Sequence, residues 1–236
     1  MMDVAVEDGL LAKSPVTKKV RKSLPSIPKN SLRAERILTI QELERLANTI
    51  DPRYRCAVLV MGYLGLRFGE MAGLQREDVD LERGVVSVNW GLEDDNGSLM
   101  LKEPKSESSR RKLEIPGPLH EDLAEHMGTV GIRKHVFADT RGGWIRYGNW
   151  RRDFFDPAVE SAGLVPLAPH DLRHTSVAML IDQGAHPRDI QDWAGHARYQ
   201  MTMDVYGHLF PGRRYVHTTK MGKEILKARA RAGEGV

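Results

Sequence analysis

Apolar residues recur at helical spacing over most of the chain from position 39 onward. Between Ile40 and Ile50 they return every three or four positions, which places them on one face of a helix. Thr39, followed three positions later by Glu42, forms the residue pair of a capping box at the start of that helix. The same spacing predicts a short helical piece ending at Leu74 and further helices over 52–64, 118–127, 147–162, 171–183, 187–193, 201–208 and 220–231.

Three short segments have the composition of β-strands. They cover 85–90, 99–101 and 111–115. The polar stretches 94–97 and 105–109 separate them and predict turns. The predicted fold class is therefore α+β, mainly α: a helical domain with one small three-stranded antiparallel sheet.

Composition narrows the class of protein. The 236 residues are 41% hydrophobic and 28% charged, as in ordinary globular chains. No stretch approaches the roughly 20 apolar residues of a membrane-spanning helix, and the first residues lack the pattern of a secretion signal. We therefore expect a soluble intracellular protein without a membrane partner. The single cysteine, Cys56, lies in an apolar run, so we expect it in the core.

Charge is distributed unevenly along the chain. The net charge is only +3, yet seven basic residues and no acidic one lie between Ala12 and Arg33. Seven more face a single acid between Gly212 and Arg231. These segments fit either a polyanion such as DNA or two solvated tails. They also suggest three parts: 1–36 as a linker region, 37–212 as the compact domain and 213–236 as a basic tail.

The side chains best suited to catalysis or metal binding cluster around position 170. His170 and Arg173 are three apart, so one helical turn brings both to the same face. His170 and His174 are four apart, the spacing of paired zinc ligands, although Arg173 would then place a permanent cation beside the metal. Elsewhere, Arg67 follows a glycine at a bend, while His196 and Tyr206 each have an ordinary structural explanation, as a helix cap and a core residue.

Taken together, these motifs resemble the tyrosine site-specific recombinases of the phage integrase family. The resemblance extends from about Thr39 to Phe210. It is carried by Gly65-Leu66-Arg67-Phe68-Gly69-Glu70, by the segment from Pro104 to Arg111 leading to Ile115-Pro116, by His170-Asp171-Leu172-Arg173-His174-Thr175, by Gly195-His196 and by Thr202-Met203-Asp204-Val205-Tyr206-Gly207-His208.

The resemblance implies a catalytic role for several of these residues. Tyr206 would attack the scissile phosphate and form a 3′-phosphotyrosyl bond, with His170 accepting the phenolic proton. Arg67 and Arg173 would hold the non-bridging oxygens, because a guanidinium stays charged and offers a planar fork of donors. His196 would donate a hydrogen bond to the same phosphate.

A lysine would complete the set by protonating the departing 5′ oxygen. Lys105 matches that residue, and Lys102 is the alternative. Glu70 would orient Arg67 without touching DNA. His174 stays outside the catalytic set, and we expect it to hydrogen-bond within its own helix. The residues expected to contact DNA are Lys18, Lys19, Arg21, Lys22 and Arg110.

The same resemblance implies partners and organisation. Residues 1–36 would hold the end of a core-binding domain and the linker that follows it, and the tail would exchange between protomers. The partners would be double-stranded attachment sites, three further copies of the chain in a tetramer assembled on DNA from monomers, and a host DNA-bending factor. No metal or other cofactor is implied, and the location would be a bacterial cytoplasm.

Three other functions remain open at the level of sequence. The chain could be a type IB topoisomerase-like enzyme that relaxes supercoils with the same chemistry. It could be a non-catalytic DNA-binding regulator with the same fold. It could also be a zinc hydrolase built on His170 and His174. The location of Trp150-Arg151-Arg152 is also left open, since these residues fit either a DNA-facing patch or the core.

Overall fold

The computed structural model describes residues 36–95, 97–104, 109–129, 134–210, 221, 224 and 225. Most of the predicted linker and tail therefore lies outside the described residues. The same is true of Lys105 and of four predicted DNA contacts, Lys18, Lys19, Arg21 and Lys22. The helix predicted over 220–231 is described only at Met221, Glu224 and Ile225, which are helical.

Helices make up most of the described chain, as predicted, although their bounds shift by a few residues. In chain order they are α1 (Ile40–Thr49), α2 (Pro52–Tyr63), α3 (Phe68–Gly73), α4 (Gly117–Thr129), α5 (Tyr147–Trp150), α6 (Asp156–Ser161), α7 (Pro169–Asp182), α8 (Pro187–Ala194) and α9 (Tyr199–Tyr206).

The core is organised around α2. Its residues are buried on nearly all sides, because α1 and α7 both pack against it. Cys56 lies there at 3% exposure, as predicted, and burial raises the pKa of its thiol to about 12. The capping box predicted at the start of α1 is also confirmed: Thr39 and Glu42 bond reciprocally through side chain and backbone.

Within the described residues, the strands form two small sheets rather than one. β1 (Val79–Asp80), β2 (Val85–Val88) and β5 (Arg111–Glu114) make a three-stranded antiparallel sheet in the order β1-β2-β5. β3 (Gly91–Asp95) and β4 (Ser98–Lys102) pair only with each other. The segment predicted over 99–101 therefore belongs to a separate hairpin, because the acidic stretch after Gly91 is itself a strand.

The helix predicted over 147–162 is broken by a wider turn. Residues Arg151–Phe155 form a π-helical turn between α5 and α6. Pro157, near the start of α6, lacks the N–H that would continue an α-helical ladder. Trp150 is 1% exposed and packs edge-on against Tyr54, so it belongs to the core.

The last three helices enclose a smaller apolar cluster of their own. It consists of Val177, Ile181, Ile190, Ala194 and Tyr206. Tyr206 is thereby packed between α7 and α8. Among the described residues, no helix is long and apolar enough to cross a bilayer.

Candidate active site

The first arginine is positioned by the bend before α3. Gly65 adopts φ 67°, a left-handed conformation that suits glycine, and this reverses the chain ahead of Arg67. Glu70 then accepts two hydrogen bonds from Arg67, one from the backbone N–H at 2.9 Å and one from Nη1 at 2.8 Å. The guanidinium of Arg67 remains partly exposed, with 39% of its side chain accessible. The predicted orienting contact of Glu70 is therefore present.

A second cation, Arg111 of β5, binds the carboxylate of Glu70 as well. Its Nη1 and Nη2 donate to the two oxygens of Glu70 at 3.1 and 2.9 Å, and its Nε donates to the carbonyl of Trp193 at 2.7 Å. Both side chains of the pair are at most 10% exposed. Burial opposes ionisation of Glu70, but the hydrogen bonds and charges of Arg111 and Arg67 outweigh it and lower its pKa to about 2.

Sequence reasoning missed Arg111. It selected the neighbouring Arg110, which is exposed and pairs with Glu103. A signal was nevertheless available, because side chains two apart on a strand share a face. Arg111 lies on the same face as the buried Leu113, and a charge on the apolar face of a strand requires a buried partner.

Arg173 is the most enclosed cation of the site, at 2% exposure. Its Nη1 donates to the carbonyl of Gly65 at 2.8 Å, and its Nη2 donates to the carbonyl of Ala194. Burial and the neighbouring Arg67 lower the pKa of Arg173 to about 9, which leaves it charged at neutral pH. The two carbonyls fix the guanidinium between the bend before α3 and the end of α8.

His170 and His174 lie one turn apart on α7. Their rings meet edge to face with centroids 4.8 Å apart. His170 reaches the surface, yet burial of part of its ring and the charges of His174 and Arg173 lower its pKa to about 4. Both imidazoles are held largely neutral at pH 7, because the pKa of His174 is also lowered, chiefly by burial.

Tyr206 contacts a different histidine from the one that the motif suggests. Nδ1 of His174 lies 2.8 Å from the Tyr206 hydroxyl, in a hydrogen bond between buried groups. The expectation that His174 hydrogen-bonds within its own helix did not include this contact with α9. The contact forms because α9 packs on α8, and its last residue, Tyr206, joins an apolar cluster with side chains of α7 and α8.

His196 covers the other side of the tyrosine. Its ring stacks on that of Tyr206 with centroids 6.3 Å apart and an interplanar angle of 11°. Gly195 ends α8 with φ 60°, and the turn that this permits carries His196 back toward the site. Nδ1 of His196 pairs with the Thr202 hydroxyl at 2.9 Å. Burial and the charge of Arg173 lower the pKa of His196 to about 4.

A cleft of about 360 Å³ opens beside Arg67, between α3 and the β3–β4 hairpin. Lys102, the alternative lysine, lines it, with Nζ 3.1 Å from Glu93. Pro104 also lines the cleft and immediately precedes Lys105 in the chain. The role predicted for Lys105 therefore remains a prediction.

The described groups provide most of what phosphoryl transfer without a metal requires. Arg67 and Arg111 bond the carboxylate of Glu70, and the charge of Arg173 also acts on it, so three cations face one anion in a region suited to a further anion. A phenol lies against a neutral imidazole beside them. Across the described ranges, no three of the residues His, Cys, Asp and Glu are grouped as metal ligands.

Several known recombinases and integrases are similar to this chain. Residues 36–213 match the profile of the phage integrase family. A tyrosine recombinase XerC-like protein of Caldanaerobacter subterraneus subsp. tengcongensis is 25% identical over 232 residues, covering 88% of this chain and 59% of that protein. The ICEBs1 integrase of Bacillus subtilis is 32% identical over 160 residues, covering 63% of this chain and 43% of that protein.

Solved structures with the same fold include DNA complexes. The Tn1549 transposon integrase (residues 82–397) in complex with circular intermediate DNA superposes with a TM-score of 0.70 at 20% identity, covering 94% of this chain and 75% of that one. XerA recombinase superposes with a TM-score of 0.61 at 23% identity, covering 80% of this chain and 66% of that one. At these identities the likeness establishes the fold.

Proposed function

Because the chain belongs to the phage integrase family, we propose that it cuts and rejoins DNA strands in site-specific recombination through a 3′-phosphotyrosine intermediate. The observation that carries this proposal is the buried hydrogen bond between the Tyr206 hydroxyl and an imidazole, next to the fixed guanidinium of Arg173. The chain spans only 59% and 43% of the two relatives named above, so the proposal concerns the chemistry of this domain.

Each step of the reaction has a candidate group. The phenolic oxygen of Tyr206 bonds to phosphorus as the bond to the 5′ oxygen breaks. Arg67 and Arg173 stabilise the charge on the non-bridging oxygens, which is greatest in the transition state. His196 donates a hydrogen bond to the phosphate, and Lys105 protonates the 5′ oxygen. No metal takes part, and the phosphotyrosine conserves the ester for rejoining.

The partner that this chemistry requires is duplex DNA. The Tn1549 integrase was solved in complex with circular intermediate DNA, and XerH recombinase with its difH substrate. These complexes support DNA as the substrate here. We further propose that four copies assemble on paired attachment sites, with a host DNA-bending factor assisting, and that the protein acts in the cytoplasm of a bacterial host.

Trapping on nicked DNA tests this proposal. The chain is incubated with a pool of duplexes of randomised sequence that carry single-strand nicks, so that a short released strand diffuses away after cleavage. We expect covalent adducts that survive denaturation, enrich a common sequence, persist in a chelator and disappear in Tyr206→Phe. Sequence-specific binding without an adduct would instead indicate a regulator.

Relaxation of supercoiled plasmid distinguishes a recombinase from the remaining alternative, a type IB topoisomerase-like enzyme. A type IB topoisomerase-like enzyme relaxes plasmids without a particular site. We expect no such relaxation unless the enriched sequence is present, and relaxation of unrelated plasmids would contradict assignment to the recombinases. Adducts lost in chelator would contradict metal independence. Strand cleavage that leaves no adduct and stops in chelator would favour the zinc hydrolase.

A further inference from the structure

We infer that His174 is the residue that accepts the phenolic proton of Tyr206 during strand cleavage. The inference rests on the proposed function and concerns the same site. It differs from the motif-based assignment, which gives this role to His170.

The geometry of the hydrogen bond supports the inference. Nδ1 of His174 and the Tyr206 hydroxyl are 2.8 Å apart, within the range of a strong O–H···N contact. His174 is 8% exposed and Tyr206 is 2% exposed, so little water competes for either group. If the hydroxyl donates, Nδ1 carries the lone pair and the imidazole proton is on Nε2. This tautomer is ready to take the phenolic proton.

The order of the aromatic rings also favours His174. The ring of His170 meets that of His174 at 4.8 Å, and the ring of His174 meets that of Tyr206 at 5.5 Å. His170 is therefore one ring further from the nucleophile. Its position at the surface suits contact with DNA better than contact with a buried phenol.

The surroundings of His174 suit a group that is neutral before the reaction and charged during it. Burial disfavours the imidazolium and keeps the ring able to accept a proton. Asp171, one turn earlier, acts in the opposite direction and would stabilise the imidazolium once formed. Arg173 is adjacent in the chain, so a single helical turn holds both the acceptor and a phosphate-binding cation.

The step balances as follows. The O–H bond of Tyr206 breaks and its proton passes to Nδ1 of His174. The phenolate oxygen bonds to phosphorus, and the bond from phosphorus to the 5′ oxygen breaks. The 5′ oxygen takes its proton from Lys105, as the family resemblance implies. On rejoining, both protons return.

Asparagine at position 174 separates hydrogen bonding from proton transfer. Its side-chain amide occupies the place of Nδ1 and can hold the phenol, but it is not basic. We expect His174→Asn to slow adduct formation on the enriched nicked duplex by about 10²-fold or more. His208→Asn is the control, since His208 is exposed two residues past the nucleophile, and it should cleave at the rate of the unaltered chain.

Fluorinated tyrosine then tests the cause of the loss. Placing 3,5-difluorotyrosine at position 206 makes the phenol more acidic, so that it needs no acceptor. We expect the fluorinated tyrosine to raise the rate of adduct formation by His174→Asn at least about tenfold. It should change the rate of the otherwise unaltered chain little. A structural defect at His174 would not be rescued. His174→Gln carries the same test if the asparagine variant melts below the assay temperature.

The matched comparison measures adduct formation by His170→Asn, with either tyrosine or 3,5-difluorotyrosine at position 206. Three outcomes would overturn the inference while leaving the proposed function intact. The fluorinated tyrosine could rescue only His170→Asn, it could fail to rescue both His174→Asn and His174→Gln, or His174→Asn could react at the unaltered rate. Absence of any adduct from the unaltered chain would overturn the proposed function and this inference with it.

Discussion

At the scale of single residues, the site is built around one buried carboxylate that holds two arginines. Glu70 bonds the backbone and side chain of Arg67 and both terminal nitrogens of Arg111. Arg111 also bonds the carbonyl of Trp193, two residues before Gly195 and His196. Arg111 therefore ties β5, α3 and the end of α8 into one unit.

Removing Arg111 should destabilise the domain. In Arg111→Met the carboxylate of Glu70 stays buried and loses its bidentate partner, while the Trp193 carbonyl loses a donor. We expect the free energy of unfolding to fall by about 3 to 5 kcal/mol, as when one partner of a buried pair is deleted. Urea unfolding measures this change.

Arg110→Met is the matched control, because Arg110 is adjacent and its ion pair is exposed. It should change the free energy of unfolding by less than about 0.5 kcal/mol. Equal losses in the two variants would show that the Glu70–Arg111 pair adds nothing beyond a surface contact.

Glu70 also makes a defined contribution to the pH dependence of stability. Its pKa is about 2 in the folded chain against 4.5 for an unperturbed glutamate, so its stabilising contribution is complete above about pH 4.5. It is lost as the pH falls toward 2. Over that range the unaltered chain should lose up to about 3 kcal/mol more stability than Glu70→Gln. Urea midpoints at stepped pH values measure the difference.

The exposed Glu103 supplies the comparison for this prediction. Glu103→Gln should leave the pH dependence as it is in the unaltered chain, since Glu103 lies in a surface pair. If Glu70→Gln and the unaltered chain lose stability in parallel between pH 4.5 and 2, the carboxylate of Glu70 is not held ionised by its arginines.

Residue identity was easier to predict than residue contact. The motif spacing selected Arg67, Arg173, His196 and Tyr206 as candidates, and the structure gathers them around the start of α7 and the end of α8. It could not show that Tyr206 meets His174, because His170 and His174 lie one turn apart on the same helix and either ring could face the phenol. The place of Tyr206 in the apolar cluster between α7 and α8 decides which ring the phenol reaches.

At the scale of elements, two glycines let α3 lie directly on the β3–β4 hairpin. Gly69 and Gly73 are four apart and so share one helix face. A Cβ at Gly69 would lie 2.8 Å from the Leu92 carbonyl oxygen, and one at Gly73 would lie 2.9 Å from the Leu92 nitrogen. Both obstacles are backbone atoms, which cannot rotate away. This contact sets the hairpin that leads to Lys105 against α3, the helix that begins directly after Arg67.

Gly73→Ala should therefore separate the helix from the hairpin. We expect a loss of about 1 to 3 kcal/mol in the free energy of unfolding, typical of overpacking, together with slower adduct formation. Gly128→Ala is the control, because a Cβ there meets no atom within 4 Å. It should leave stability unchanged or raise it by up to about 1 kcal/mol. Similar effects of the two substitutions would rule out close packing as the role of Gly73.

Elements with strong local signals were predicted well, whereas strand pairing was not. The capping box at Thr39 and the apolar pattern of α2 locate their helices from neighbouring residues alone. The register of a sheet depends on partners distant in the chain. β2 pairs with β5 across 22 intervening residues, and the hairpin between them carries acidic residues that resemble a turn.

At the scale of the whole molecule, affinity for DNA should depend on charges that the sequence shows and the described residues do not include. Each phosphate neutralised by a Lys or Arg releases counterion, which makes binding weaker as salt rises. The segment from Ala12 to Arg33 has seven basic residues and no acidic one. We therefore expect this segment to supply a large share of the affinity.

Replacing Lys18, Lys19, Arg21 and Lys22 by glutamine measures that share. If all four contact phosphates, the slope of log K against log salt should become shallower by roughly 3 to 4, since each contact contributes about 0.9. Fluorescence anisotropy with a labelled duplex gives the slope. The charge-matched control neutralises the exposed Arg45, Arg53, Arg83 and Lys134. An equal change in both variants would mean that only net charge matters, and an unchanged slope in the first would mean that these four residues are solvated and make no contact with the duplex.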